Sequence, residues 1–118
     1  MSLLIQNGEI ITDSKRYVAD IFCEDETITR IEPKIDNVKA DVVVDATGKY
    51  VFPGFIDPHV HIYLPFMGTY AKDTHETASR AALVGGTTTF NELICPARGD
   101  QPLEAVELWR GKGGGKGR

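Results

Sequence analysis

The run Pro53-Gly54-Phe55-Ile56-Asp57-Pro58-His59-Val60-His61 holds the residues best suited to chemistry. Two of the chain's three histidines lie there, at i and i+2, behind an apolar pair and a Pro-Gly turn. Side chains alternate faces along an extended strand, so His59 and His61 share a face, roughly 7 Å apart along it. Two neutral imidazoles on one face can converge on one metal ion, at about 2.0–2.1 Å per zinc–nitrogen bond. Zinc takes four ligands, three of them from protein in a catalytic site, so the pair is half a site. Asp57 has the same parity one layer deeper and reads as a carboxylate that supports the ligands or the local structure, not as a ligand.

Other reactive side chains are read more plainly. His75 sits at the start of a helix and is expected to face solvent or lie near the cap. Glu92, in the second strand of the C-terminal half, can point toward an active-site mouth, but a structural acid is the simpler reading. Cys23 and Cys95 form no CxxC pair and lie in or beside apolar stretches, which predicts buried free thiols rather than a disulfide or a cysteine-rich zinc site. The glycine- and lysine-rich end, 111–118, contains no GxxxxGK[ST] pattern and is expected to be a flexible tail, not a phosphate-binding loop.

The elements that must position these residues follow from patterning. Residues 1–52 read as short antiparallel strands with one buried face. Leu3-Leu4-Ile5 precedes Asn7-Gly8, a hairpin dipeptide, and Glu9-Ile10-Ile11-Thr12 follows it. A strand over 17–23 turns at Asp25-Glu26 into 27–31, and Asp41 to Asp45 is a further short strand. After Pro53 the pattern becomes strand, helix, strand, helix. Phe55 to His61 is a strand, and a loop with Pro65 and Gly68 follows. A helix then begins near Asp73 or Thr74, where Asp73 with Glu76 competes with Thr74 and Thr77 for the capping box. Ala78, Ala81 and Ala82 give that helix a small-residue face, and Gly85-Gly86 ends it. The strand from Thr87 and the helix opened by Pro102 complete two β/α units, which implies a parallel sheet.

Composition is that of an ordinary globular chain, 42% hydrophobic and 25% charged over 118 residues. The net charge of −4 gives no reason to expect nucleic acid or an anionic membrane as a partner. No apolar run approaches the roughly 20 residues of a membrane-spanning helix, and the N-terminus lacks a basic segment followed by an apolar one. A cytoplasmic location is the resulting expectation.

A β module followed by Pro-Gly-x-Ile-Asp-x-His-x-His resembles the start of the amidohydrolase superfamily, in its cyclic-amidase branch of dihydropyrimidinases and hydantoinases. Pro65-Phe66-Met67-Gly68-Thr69, the stretch from Arg80 through Gly85-Gly86 to Thr89, and Leu103 to Arg110 extend the likeness over nearly the whole chain. The resemblance implies a (β/α)8 barrel flanked by a β-sandwich. Residues 1–52 would be a sandwich segment and 53–110 the first two β/α units of an incomplete barrel. It also implies a binuclear zinc centre with His59 and His61 as two of its ligands. A carboxylated lysine, two further histidines and a catalytic aspartate would lie beyond residue 118, leaving no catalytic residue within this chain. The activity implied is hydrolysis of a dihydropyrimidine or hydantoin to an N-carbamoyl amino acid, by a full-length homotetramer and not by the 118-residue chain alone.

Related branches differ locally. Dihydroorotases typically carry an arginine two residues beyond the HxH, whereas Ile62-Tyr63-Leu64-Pro65-Phe66 offers no cation before Lys72 for a bidentate carboxylate contact. An apolar loop suits a neutral cyclic amide, and Leu64 and Phe66 are the candidate gate to the substrate. A dihydroorotase or allantoinase relative, a truncated pseudoenzyme and a non-catalytic dihydropyrimidinase-like scaffold remain the alternatives.

Overall fold

The computed structural model describes residues 1–66 and 68–113, and the chain divides into two compact units, Met1–Pro53 and Gly54–Arg118. The first is a mixed five-stranded sheet of β1 (Ser2–Ile11), β2 (Arg16–Glu24), β3 (Thr27–Glu32), β4 (Val42–Asp45) and β5 (Tyr50–Val51). Its order is β3-β2-β1-β4, with β5 also pairing β1. The β1–β2 and β2–β3 pairs are antiparallel, but β4 and β5 run parallel to β1, which corrects the all-antiparallel expectation. The link between β3 and β4 makes this possible. Ile35 is buried in it against Leu4 and Phe22, and its N–H donates to the buried Asp20 carboxylate at 2.9 Å. That anchor carries the chain across the sheet rather than back along its edge.

Asn7-Gly8 does not turn the chain. β1 runs through it with a register shift between Ile5 and Gly8, a bulge in which Asn7 adopts φ 61° and its N–H donates to Asp20 at 2.8 Å. Gly8 is needed for close approach, since a Cβ there would stand 2.5 Å from Val51 Cγ2. The β1–β2 hairpin closes instead between Thr12 and Lys15, while Asp25-Glu26 turns β2 into β3 as expected. Alternation along β2 puts Phe22 on one face, packed with Leu4 and Ile35, and Ala19 and Ile21 on the other, packed with Ile10.

The second unit contains β6 (Phe55–Val60), a small hairpin of β7 (Pro65–Phe66) and β8 (Thr69–Tyr70), α1 (His75–Val84), β9 (Thr87–Glu92) and α2 (Pro102–Gly113). β6 and β9 pair in parallel across α1, the βαβ unit that the alternation predicts. Thr74 and Thr77 win the competition for the cap: each side chain bonds the other's backbone N–H, and Thr77 also donates to Asp73. α1 buries His75 and Ser79 and half-buries Ala78 and Ala82, whereas Ala81 is exposed, so the inward face is rotated from the alanine face expected. Gly86 follows the helix at φ 86°, and its carbonyl accepts the Phe55 N–H, joining the start of β6 to the entry of β9. α2 continues to Gly113, so Gly111 and Lys112 are helical rather than tail. Residues 114–118 of the expected tail lie outside the described residues.

Candidate metal centre

His59 is the penultimate residue of β6, and His61 lies one residue past the strand's end at Val60. Their Nε2 atoms stand 3.3 Å apart, with the rings nearly perpendicular at 78°. Two zinc–nitrogen bonds of about 2.05 Å at a tetrahedral angle span about 3.3 Å between nitrogens. The pair therefore has the separation of two ligands on one ion, and its donor chemistry fits zinc.

Backbone pairing explains the convergence. Leu93, just past β9, donates its N–H to the Val60 carbonyl at 2.9 Å, and its own carbonyl lies 3.0 Å from His61 Nδ1. That carbonyl can only accept, so His61 Nδ1 carries the proton and Nε2 keeps its lone pair for a metal. The register of β6 on β9 shifts between Asp57 and Val60, around Pro58, which has no N–H to give to the sheet. Asp57 stabilises this irregularity by accepting the His59 N–H at 3.1 Å. The Asp57 carboxylate thus supports the backbone of one member of the histidine pair.

Leu64 is half-buried and its carbonyl accepts the Ala71 N–H at 2.8 Å, closing the loop that contains β7 and β8. The Phe66 side chain lies outside the described part of the structure. Cys23 is half-buried and Cys95 is exposed, its Sγ 3.9 Å from His61 Nδ1, so the expected burial of both thiols does not hold. Cys95 lies beyond the end of β9, where the chain leaves the sheet.

A polar cluster beside the histidine pair goes beyond the sequence-based expectations. His75 stands directly after the Thr74 cap, one of its two expected places, but is buried, and its Nε2 lies 2.7 Å from Glu92 Oε2. Glu92 Oε1 accepts two further bonds, from the Ile62 N–H and from Trp109 Nε1, both at 3.2 Å. Glu92 therefore gathers α1, α2 and the segment carrying His61 on one carboxylate. The available signal was the i, i+4 placement of His75 and Ser79 on the face that Ala78 and Ala82 share. Among the described residues no group of three or more His, Cys, Asp or Glu is placed to hold a metal, so the candidate donors brought together are His59 and His61 alone.

Comparison with known proteins places the chain among relatives of one kind. A family model described as "Amidohydrolase family" matches residues 42–95. The chain is 45% identical over 94% of its length to dihydropyrimidinase 2 of Caenorhabditis briggsae, and covers 21% of that protein. It is 44% identical over 98% of its length to the D-hydantoinase of Geobacillus stearothermophilus, covering 24% of it. Among solved structures, a D-hydantoinase (dihydropyrimidinase) from a Thermus species superposes with a TM-score of 0.85 at 64% identity, over 94% of this chain and 24% of that one. The chain thus spans a quarter or less of the length of each of these relatives. By sequence and by fold it is similar to the amidohydrolases of the dihydropyrimidinase and hydantoinase family.

Proposed function

We propose that this chain is part of a metal-dependent cyclic amidohydrolase that opens a dihydropyrimidine or hydantoin ring to an N-carbamoyl amino acid. The observation that carries the reading is the 3.3 Å convergence of His59 and His61 Nε2, with the His61 tautomer fixed by Leu93. Hydrolysis adds water across the ring amide: its oxygen bonds to the carbonyl carbon, the C–N bond breaks, and the ring nitrogen takes up a proton. When bound, zinc supplies hydroxide at neutral pH and polarises an amide carbonyl. The part of this chain is to hold and orient. His59 and His61 are two ligands of a binuclear centre, Asp57 fixes the backbone of the first, and Leu93 aims the second.

The same reading assigns residues 1–52 to a β-sandwich and the second unit to the opening of a (β/α)8 barrel, whose chemistry lies at the C-terminal ends of its strands. His59 and His61 lie at that end of β6. Leu64 and Phe66 form the gate for the ring substituent, and the complete enzyme is a cytoplasmic homotetramer. The general acid–base group and the remaining ligands come from outside this chain.

A chimera tests the proposal directly. Replacing the matched quarter of the Thermus D-hydantoinase with this chain should preserve zinc content and hydantoin hydrolysis. His61→Ala in the chimera should remove both. A chimera that folds and binds zinc but never turns over hydantoin or dihydrouracil would refute the cyclic-amidase reading. One that folds without metal would favour the scaffold.

A further inference from the structure

We propose that Glu92 is a positioning residue for His61, acting through the Ile62 amide and held in place by His75 and Trp109. The inference rests on the reading of His59 and His61 as a metal pair and adds to it a residue that touches neither imidazole. Three observations carry it. Glu92 is largely buried, its side chain 17% exposed, and that of His75 is 8% exposed. Its oxygens accept three donors from three different segments: Ile62 N–H, Trp109 Nε1–H and His75 Nε2–H. Immediately next to it in sequence, Leu93 binds both the Val60 carbonyl and, through its own carbonyl, the His61 ring. Residues 60–62 are thus gripped at three successive positions by Glu92 and Leu93.

The chemistry explains why a carboxylate stands here. All three partners are donors, and an ionised carboxylate is an acceptor at both oxygens. A buried amide N–H left without an acceptor is costly, so the Ile62 N–H is held firmly only while Glu92 remains in reach. Fixing that amide fixes the backbone from which the His61 ring leaves, and the ring meets the Leu93 carbonyl only from that backbone. α2 seals the cluster, because its Gly113 approaches His75 so closely that a Cβ there would stand 3.1 Å from His75 Nε2. His75 and Trp109 orient the carboxylate and are not ligands.

The test uses the 118-residue chain without metal, followed by zinc alone. Wild-type His61 should show a single Nδ1–H tautomer by imidazole 15N NMR, with a slowly exchanging Ile62 amide. Glu92→Ala should raise the Ile62 exchange rate by about tenfold and mix the His61 tautomers, while amides of β1 and β2 keep their protection. Glu92→Gln should largely rescue Ile62, because its carbonyl can still accept there. Its NH2 then faces His75, which must change to the Nδ1–H tautomer, a shift that a merely structural residue would not produce. Zinc affinity should fall by about tenfold in Glu92→Ala and return in Glu92→Gln.

Unchanged Ile62 exchange and an unchanged His61 tautomer in Glu92→Ala would overturn the proposal. If Glu92→Ala does not fold, Glu92→Gln decides: a fast-exchanging, unrescued Ile62 amide with no change of the His75 tautomer would overturn it equally. Zinc binding that is the same in wild type and His59→Ala would instead remove the metal reading, while the exchange and tautomer measurements would still decide the role of Glu92.

Discussion

The short polar ties of the first unit show how single residues set local stability. Asp41 accepts the Ser2 N–H at 2.6 Å and the Ser2 hydroxyl at 3.0 Å, while its own N–H donates back to that hydroxyl at 3.0 Å. This reciprocal tie joins the starts of β1 and β4, just before the Leu3–Val42 pair. The Ser2 N–H above all, and then its hydroxyl, hold the Asp41 carboxyl below its ordinary range. Asp45 is lowered in the same direction, first by the Thr47 hydroxyl and then by the Asn7 amide. A depressed folded-state pKa gives stability that is complete above the unfolded value, near 3.9, and is lost as pH falls through the folded value. The urea midpoint of the first unit should therefore drop between pH 5 and pH 2, and less steeply in Asp41→Asn; equal slopes would exclude Asp41 as a contributor. At this scale the nearness of the two histidines was legible, because residues i and i+2 of an extended backbone share a face, whereas their convergence depends on Leu93 and the shifted register. The Glu92–His75 pair was not, because the two residues are 17 apart and only the packing of α1 beside β9 brings them together.

Elements are held by turns, caps and a few cross-element contacts, and these differ in how openly the sequence declares them. The α1 cap could be read to within two candidates, because Thr and Asp both suit an N-cap and only geometry chooses. Asn7-Gly8 misled because the same residue types that make a hairpin also make a bulge, and here Asp20 waits to accept the Asn7 N–H. The β7–β8 hairpin was hidden by its length of two residues per strand. Its attachment to α2 is aromatic. Lys112 Nζ lies 4.6 Å from the Trp109 ring centre, 5.3 Å from that of Tyr63 and 5.7 Å from that of Tyr70. Tyr63 and Tyr70 also stack, with centres 5.4 Å apart. Each distance is within the reach of a cation–π contact, so Lys112 latches the loop carrying Leu64 to the end of α2. Lys112→Met keeps the stem and removes the charge. It should cost about 1 kcal/mol and make Trp109 more accessible to acrylamide quenching. An unchanged denaturation midpoint with unchanged quenching would show that the rings hold the loop without the cation.

At the scale of the molecule the two units have unequal means of staying folded. The five-stranded sheet packs Leu4, Phe22 and Ile35 on one side and Ile10, Ala19 and Ile21 on the other. The second unit rests on a two-stranded parallel sheet in which Ile56 is 65% exposed, and Val84 of α1 and Leu103 of α2 are more exposed still. Parallel strands normally have both faces covered, and a two-stranded sheet is marginal by itself. The order strand, helix, strand, helix was therefore legible in the sequence, and two β/α units of an incomplete barrel imply open apolar faces, but which side chains lie on them was not legible, because alternation does not say how α1 and α2 pack. Hydrogen exchange on the 118-residue chain should resolve this difference amide by amide. Amides of β1 and β2 should exchange slowest, and those of β6 and β9 should exchange faster by an order of magnitude or more, with unfolding in two steps rather than one. In the Thermus chimera the β6 and β9 amides should slow to the level of β1, because their faces are then covered, and the His59–His61 pincer should gain rigidity with them. Uniform protection across both units of the isolated chain would show that the second unit needs no such cover.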